Sequence, residues 1–350
     1  DEFGVLLSHC PIEKGLDIAE TLRKTVTAFR FSWEGQVFSV GVSIGLVSIT
    51  EASGSLDEVL SHADAACYAA KDRGRNRVHL FQPDDIQAQE HQGQIQWASR
   101  LQEALDQDLF RLYYQTIVPL ENSENTMPHY EILARMISPQ GEIIPPGAFT
   151  PAAERFGLMP KIDQWVIRNT LAWMGDQLRQ NNQPVFCSIN LSGASIGRED
   201  CLQLIQEQLA KRKVPANNIC FEITETAAIA DPANAARFIT ELKRLGCQFA
   251  LDDFGSGLSS FGYLKQLPVD YLKIDGIFIQ ELANNRIDQA MVASINNIGH
   301  IMGLKTIAEF VEDAATLNIL RQIGVDYVQG FYLSRPEPLE SLMSVRVMPR

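Results

Sequence analysis

Carboxylates, two amides and two cations recur at the ends of successive apolar segments in this chain: Glu131, Arg135, Asn190, Glu222, Asp252, Asp253, Lys273, Glu309 and Gln329. Carboxylate and amide oxygens are hard donors that suit hard divalent cations. Collected at one end of a set of strands, they predict a metal-assisted active site. The sharpest local signal is Asp252-Asp253-Phe254-Gly255-Ser256-Gly257. Neighbouring residues of a strand point to opposite faces. Both carboxylates reach one site only if the backbone turns there, and the glycines permit that turn. One Asp bridging two cations while the other holds the second would suit two-metal hydrolysis. The plain alternative is a solvated Asp-rich turn. A kinase Asp-Phe-Gly is excluded, because no His-Arg-Asp loop or strand Lys-Glu partner accompanies it.

The other candidates each carry two readings. Glu222 and Thr224 share one strand face, so Glu222 is a ligand or a polar strand end. Glu225 closes that strand and could hold the adjacent loop. Asn190 is a neutral oxygen ligand or the cap of the next turn. Glu131 and Arg135 lie four apart on one strand face. They are a metal ligand and a phosphate fork, or an ion pair with each other. Lys273 sits in the apolar run Tyr271-Leu272-Lys273-Ile274-Asp275. Burial would lower its pKa and suit it to handling a water proton; the alternative is an ion pair with Asp275. The six His lack partner spacing, so a His-centred mechanism is not expected.

Eight strand-like segments position these residues: Phe110–Val118, His129–Arg135, Val185–Leu191, Ile219–Glu225, Gln248–Asp253, Tyr271–Asp275, Lys305–Val311 and Tyr327–Leu333. Helical patterns separate them at Asp163–Gln180, Arg198–Arg212, Pro232–Leu245, Asp288–Met302 and Ala314–Ile323. Such alternation implies a parallel sheet, and eight strands over this length fit a closed α/β barrel of TIM type. No G-x-G-x-x-G follows a first strand, which argues against a dinucleotide fold. Chemistry in such barrels sits at the C-terminal ends of the strands.

Residues 1–82 form a separate α+β block with strands expected at Phe3–Leu7, Val37–Ser48 and Val78–Phe81. Leu56–Asp72 has helical spacing, with Leu60, Ala63, Ala66, Cys67 and Ala70 on one stripe, and Gly74 closes it. Residues 83–109 read as a polar helical linker, and 110–345 as the barrel domain. A length of 350 residues suits two domains, and 45% apolar with 21% charged residues mark an ordinary globular protein. The formal charge of -13 argues against a DNA or RNA polymer as partner. It leaves room for a small anionic substrate if cations offset the acids. The six Cys show no C-x-x-C pair and read as buried thiols in a reducing cytoplasm. No apolar run reaches membrane-spanning length, and the opening Asp1-Glu2-Phe3 shows no signal peptide.

Glu131-Ile132-Leu133-Ala134-Arg135, Asn190-Leu191-Ser192, Glu222-Ile223-Thr224-Glu225, the Asp252-Asp253 segment, Lys273-Ile274-Asp275, Ala308-Glu309-Phe310-Val311-Glu312 and Gln329-Gly330 with Pro336 strongly resemble EAL-domain cyclic-di-GMP phosphodiesterases. The resemblance spans roughly residues 100–345. It implies a barrel that hydrolyses cyclic di-GMP to linear pGpG with Mg²⁺ or Mn²⁺, Ca²⁺ being inhibitory. By motif, Glu131, Asn190, Glu222 and Asp252 would hold one metal, and Asp252, Asp253 and Glu309 the other. Lys273 would contact the attacking water, and Gln329 would support the cluster. Glu225 would brace the loop after Asp253, beside a contact that implies a homodimer through this domain. Arg135, Gln115, Asp275 and Pro336 would meet the substrate.

Three positions depart from the family pattern: Ile132 for Ala, Thr116 for a common Pro, and Phe310 where many members have Gly. Ile132 is expected to face away from the metals. Phe310, beside a ligand, is the departure most able to shift it. None removes a ligand.

The first block resembles the back half of a GGDEF (diguanylate cyclase) domain. The matching residues are Asp1-Glu2-Phe3, Ser39–Gly45, Ala63–Lys71 and Gly74-Arg75-Asn76. It lacks the Gly pair and the metal-binding strand, so it is expected to be regulatory or inactive here. A sensor or membrane region would lie upstream of residue 1. The competing function is a cyclic-di-GMP receptor without hydrolysis, against which a complete ligand set argues.

Overall fold

The structure is a computed structural model that describes residues 3–33, 36–50, 53, 55–72, 76–81, 97–121, 127–181, 184–255 and 262–343. Two compact units comprise Asp1–Arg100 and Leu101–Arg350. The linker residues 83–96 lie outside the described residues, as do Asp1, Glu2, Gly74, Arg75, Ser256 and Gly257.

In the first unit, α1 (Ile12–Ala28) and α2 (Leu56–Asp72) accompany β1 (Arg30–Trp33), β2 (Gln36–Ser39), β3 (Ile44–Leu46) and β4 (Val78–Leu80). β3 and β4 pair in parallel. Helix α2 buries Ala65, Ala66, Ala69 and Ala70, while Leu60 is exposed, so the expected stripe is rotated. The small face lets the helix lie against β3. A Cβ on Gly45 would come within 2.3 Å of the backbone at Ala63 and Cys67. Phe3–Leu7 is not a strand, and Phe3, Val5 and Leu6 are exposed. The expected strand at Val37–Ser48 is two strands.

Helix α3 (residues 97–106) precedes the first barrel strand. All eight expected strands then form: β5 (Phe110–Pro119), β6 (His129–Ile137), β8 (Phe186–Asn190), β9 (Ile219–Thr224), β10 (Gln248–Phe254), β11 (Tyr271–Ile274), β12 (Lys305–Ala308) and β13 (Tyr327–Val328). Because β5 pairs with both β6 and β13, the sheet closes. Short strands β7 (Ile143–Ile144) and β14 (Glu337–Pro338) extend its rim. The sheet is not wholly parallel. β5 runs antiparallel to both neighbours. Residues 120–128 join β5 to β6, and that connection is too short for the crossover a parallel pair requires.

Helices α5 (Met159–Asn181), α6 (Glu199–Arg212), α8 (Pro232–Leu245), α9 (Arg286–Ile301) and α10 (Ala314–Ile323) match the expected positions. Two more, α4 (Pro146–Arg155) and α7 (Glu225–Ala230), were not legible as helices. α4 carries Pro146 at its first position, where the missing N–H costs nothing. Glu225 therefore begins a helix rather than ending a strand.

Inside the barrel, Ile117, Phe186, Cys220, Ala250, Tyr271 and Ile307 pack as one apolar layer against Tyr327. Side chains alternate with period two. The next inward position is therefore Glu222, Asp252 and Lys273 along β9, β10 and β11, and Glu309 and Gln329 directly after β12 and β13. On the reversed β5 it is Gln115, two residues before Ile117. The polar site thus stands one layer above an apolar floor.

His129 is buried beside that floor. Its ring packs edge-on against Phe186, 4.5 Å between centroids, and Nε2 lies 2.9 Å from Ser188 Oγ. Burial lowers its pKa from 6.5 to about 3. The unfolded chain then takes up this proton first as pH falls, so stability is full above about 6.5 and declines toward 3. Urea unfolding should show a loss of about 2 kcal/mol from this group between pH 7 and pH 5. His129→Gln should remove that part of the slope, and an unchanged slope would refute the assignment.

The described Cys are all free, and Cys187, Cys201, Cys220 and Cys247 are buried. Burial pushes the Cys201 and Cys247 thiols up to about 12, which leaves them unreactive.

Candidate active site

Lys273 stands at the centre of the mouth, fully buried on β11. Its Nζ lies 2.6 Å from Glu222 Oε2, 2.8 Å from Glu309 Oε1, 3.1 Å from Asp252 Oδ1 and 4.0 Å from Glu131 Oε2. The ion pair considered with Asp275 is replaced by these contacts. The expected lowering of the Lys273 pKa is also overturned. Burial does oppose its charge, but Asp252, Glu131, Glu222 and Glu309 outweigh that and hold the pKa well above the usual value. Lys273 is therefore an ammonium.

Four carboxylates around one ammonium leave excess negative charge in a buried place. Burial, with Glu131 and Asp252 nearby, pushes Glu222 up to about 8 despite Lys273. Burial likewise raises Glu309 well above the carboxylate range. Asp253, exposed at the rim, is raised to about 6 by desolvation, Asp252 and Asp275. Such a cluster holds shared protons or takes up cations.

Two amides order the acids from the side. Asn190 Nδ2 donates to Glu131 Oε1 at 2.6 Å. Gln329 Nε2 donates to Glu131 Oε2 at 2.6 Å and to Gln115 Oε1 at 3.0 Å. Gln115 Nε2 in turn donates to the Ser334 carbonyl at 2.9 Å. Glu131 lies near the start of β6 rather than at its end. β6 runs on to Ile137 as a long hairpin arm with β5, so the barrel mouth falls partway along it.

The Asp252-Asp253 turn has the geometry the sequence requires. Asp253 has φ 53 and Gly255 φ 99. The β10–β11 register slips between Leu251 and Phe254. Asp252, Asp253 and Glu309 each present a ligand oxygen within 4.8 Å of the others. Buried Glu225 clamps this turn: its Oε2 accepts the Gly255 N–H at 2.9 Å, and its Oε1 accepts the Tyr263 hydroxyl at 2.5 Å.

Phe310 follows Glu309 with φ 52 and is half exposed. Its ring lies where a side chain on Gly276 would stand, since a Cβ there would come within 2.4 Å of it. The bulky residue beside Glu309 is thus accommodated by a glycine on the neighbouring strand end. Ile132 is fully buried and alternates with Glu131, away from the acids.

The remaining candidates line the rim. Arg135 is half-buried, its guanidinium 5.5 Å from the Tyr113 ring centroid and its Nη1 on the Ala134 carbonyl. Asp275 Oδ1 accepts the Ile277 N–H at 3.0 Å. Pro336 is half-buried, next to Arg335, which stacks on Phe331.

Cation fit can be judged from the donors themselves. Glu222 Oε1, Asp252 Oδ1 and Gln329 Oε1 are buried oxygens without a hydrogen bond, although Asp252 Oδ1 lies near the Lys273 ammonium. Buried acceptors are normally satisfied. Unsatisfied oxygens within an over-charged acidic cluster fit hard divalent cations.

Three contributors escaped the sequence reading: Tyr263, Ser334 and Asp163. Tyr263 and Ser334 touch the site only through distant pairing. Asp163 carried a readable signal, an acid directly after Ile162 and three before Val166 on the apolar stripe of α5.

A closed barrel thus gathers carboxylate and amide oxygens at the ends of its strands. Residues 98–336 match the family described as EAL domain, and the chain belongs to that family. Residues 1–77 match the family described as Diguanylate cyclase, GGDEF domain. The chain is 39% identical over 97% of its length to "Cyclic di-GMP phosphodiesterase PdeB" of Shewanella oneidensis, covering 40% of that protein. It is 32% identical over 98% of its length to "Bifunctional diguanylate cyclase/cyclic di-GMP phosphodiesterase MucR" of Pseudomonas aeruginosa, covering 50% of it. It thus spans half or less of these relatives. The solved structure "PaMucR Phosphodiesterase, c-di-GMP complex" superposes with a TM-score of 0.66 at 34% identity, over 71% of this chain and 99% of that one. The FimX EAL domain of Pseudomonas aeruginosa bound to c-di-GMP gives 0.64 at 33% identity, over 69% and 96%.

Proposed function

We propose that the barrel hydrolyses one phosphodiester of cyclic di-GMP to linear pGpG. The observation that carries this reading is the over-charged acidic ring around Lys273, with unsatisfied buried oxygens. The named activities of its relatives and the cyclic di-GMP held by structural neighbours support it. Glu131, Asn190, Glu222 and Asp252 would hold one divalent cation, and Asp252, Asp253 and Glu309 a second. Bound there, Mg²⁺ or Mn²⁺ would lower the pKa of water and neutralise charge building on phosphorus.

The chain's own groups have distinct tasks. Lys273, within 4.0 Å of four proposed cation-holding acids, would contact the attacking water. Gln329 and Asn190 fix the two oxygens of Glu131. Glu225 holds the turn that presents Asp253. Arg135 is the guanidinium for a phosphate oxygen, with Gln115, Asp275 and Pro336 around the nucleotide. Ca²⁺, larger and less demanding of geometry, is the expected inhibitor. A homodimer through the EAL domain, a regulatory role for residues 1–82, a helical linker at 83–109 and a cytoplasmic setting complete the proposal. The test is release of pGpG in Mg²⁺, absent in EDTA. Binding of intact cyclic di-GMP without cleavage would instead establish a receptor.

A further inference from the structure

We infer that Asp163 is a positioning residue that fixes Asn190 for cation binding. The inference rests on the metal assignment above. Asp163 lies on α5 and is buried, 4% exposed. Its Oδ2 accepts the Ser192 N–H at 3.0 Å, the Ser192 hydroxyl at 2.5 Å and the Ser195 hydroxyl at 2.6 Å. All three donors belong to the turn that leaves β8 directly after Asn190. Burial raises the Asp163 pKa, and the donors from Ser192 and Ser195 oppose that rise.

Asn190 needs such a hold. It is exposed, so surrounding side chains do not pack it into place. Its Nδ2 is committed to Glu131 Oε1. That leaves Oδ1 as the oxygen for a cation, and its aim depends on the backbone at residues 190–192. The Leu191 N–H bonds the Glu222 carbonyl at 2.8 Å and pins one side of the turn. Asp163 pins the other. Farther along, Asn234 Nδ2 reaches the Ile196 carbonyl at 3.4 Å, and Gly197 takes φ 77. That contact anchors the far end of the turn but not Asn190. Ligand placement in metal sites depends on partners of this kind.

A purely structural clamp would alter stability without singling out Asn190. The discriminating measurement is Mn²⁺ binding by electron paramagnetic resonance on the full chain. The proteins compared are the parent, Asp163→Asn, Asn190→Ala and the double variant, with urea midpoints alongside. Asp163→Asn should raise the half-saturating Mn²⁺ concentration by about 10- to 100-fold. The double variant should bind no more weakly than Asn190→Ala alone, because both changes remove the same interaction. If Asp163→Asn does not fold, Ser192→Ala removes one hydroxyl arm and should show the same non-additivity. Mn²⁺ affinity within twofold of the parent, or additive losses in the double variant, would overturn the inference while leaving the metal site intact. A parent protein that binds no Mn²⁺ would overturn the metal assignment itself.

Discussion

Lys273→Met should lower cyclic di-GMP turnover by at least about a hundredfold, the cost of losing one aligned donor at a reacting centre. The same change should destabilise the metal-free barrel by about 3–5 kcal/mol, because it strands buried carboxylates without their cation. The geometry behind both effects is one ammonium within 4.0 Å of Glu131, Glu222, Asp252 and Glu309. Met has similar reach and leaves little void, so the loss reports charge rather than volume. Divalent cations should restore much of the stability, since they supply the missing positive charge to the same oxygens. Thermal unfolding in EDTA and in Mg²⁺ measures this directly. A larger Mg²⁺ shift in the variant than in the parent is the expected result. A variant as stable as its parent in EDTA would show that Lys273 does not neutralise the cluster.

Asp253→Asn should remove turnover to below about one hundredth of the parent while leaving the fold intact. Asn tolerates the left-handed backbone that Asp253 adopts at φ 53, so the turn survives the change. The sign of the stability effect separates catalysis from folding. Burial, Asp252 and Asp275 raise the Asp253 pKa to about 6 in the folded protein. An acid whose folded pKa lies above its unfolded value weakens the fold once pH exceeds it. The metal-free variant should therefore be as stable as the parent at pH 7 or more so. Loss of activity with unchanged or raised stability is the signature of a lost ligand. Full activity would remove Asp253 from the cation site, and Glu131→Ala extends the same test to the other cation.

The inward-facing polar residues were readable because barrel strands impose period two. Glu222, Asp252, Lys273, Glu309 and Gln329 each stand two residues beyond an apolar floor residue, and that regularity is printed in the sequence. The reversed β5 was not anticipated, because the strand–helix alternation of the rest masked one short connection. The charge state of Lys273 also misled. Local sequence shows an apolar strand around it, whereas the acids that keep it protonated arrive from β6, β9, β10 and β12. Glu225 could be assigned to a loop but not to its partners, since Gly255 and Tyr263 are distant in sequence. The pairing of Phe310 with Gly276 is legible only in three dimensions, where a missing side chain on one strand end makes room for a ring on the next. Asp163 was signalled by its place on the apolar stripe of α5, but its partners Ser192 and Ser195 were not.

The fate of cyclic di-GMP mixed with the purified chain tests the phosphodiesterase reading most directly, followed by chromatography that separates cyclic, linear and mononucleotide forms. Stoichiometric conversion to pGpG in Mg²⁺ or Mn²⁺, with intact substrate retained in Ca²⁺ and in EDTA, is the expected outcome. Quantitative recovery of the cyclic dinucleotide in every metal, from protein shown to be folded, would contradict hydrolysis at this barrel mouth.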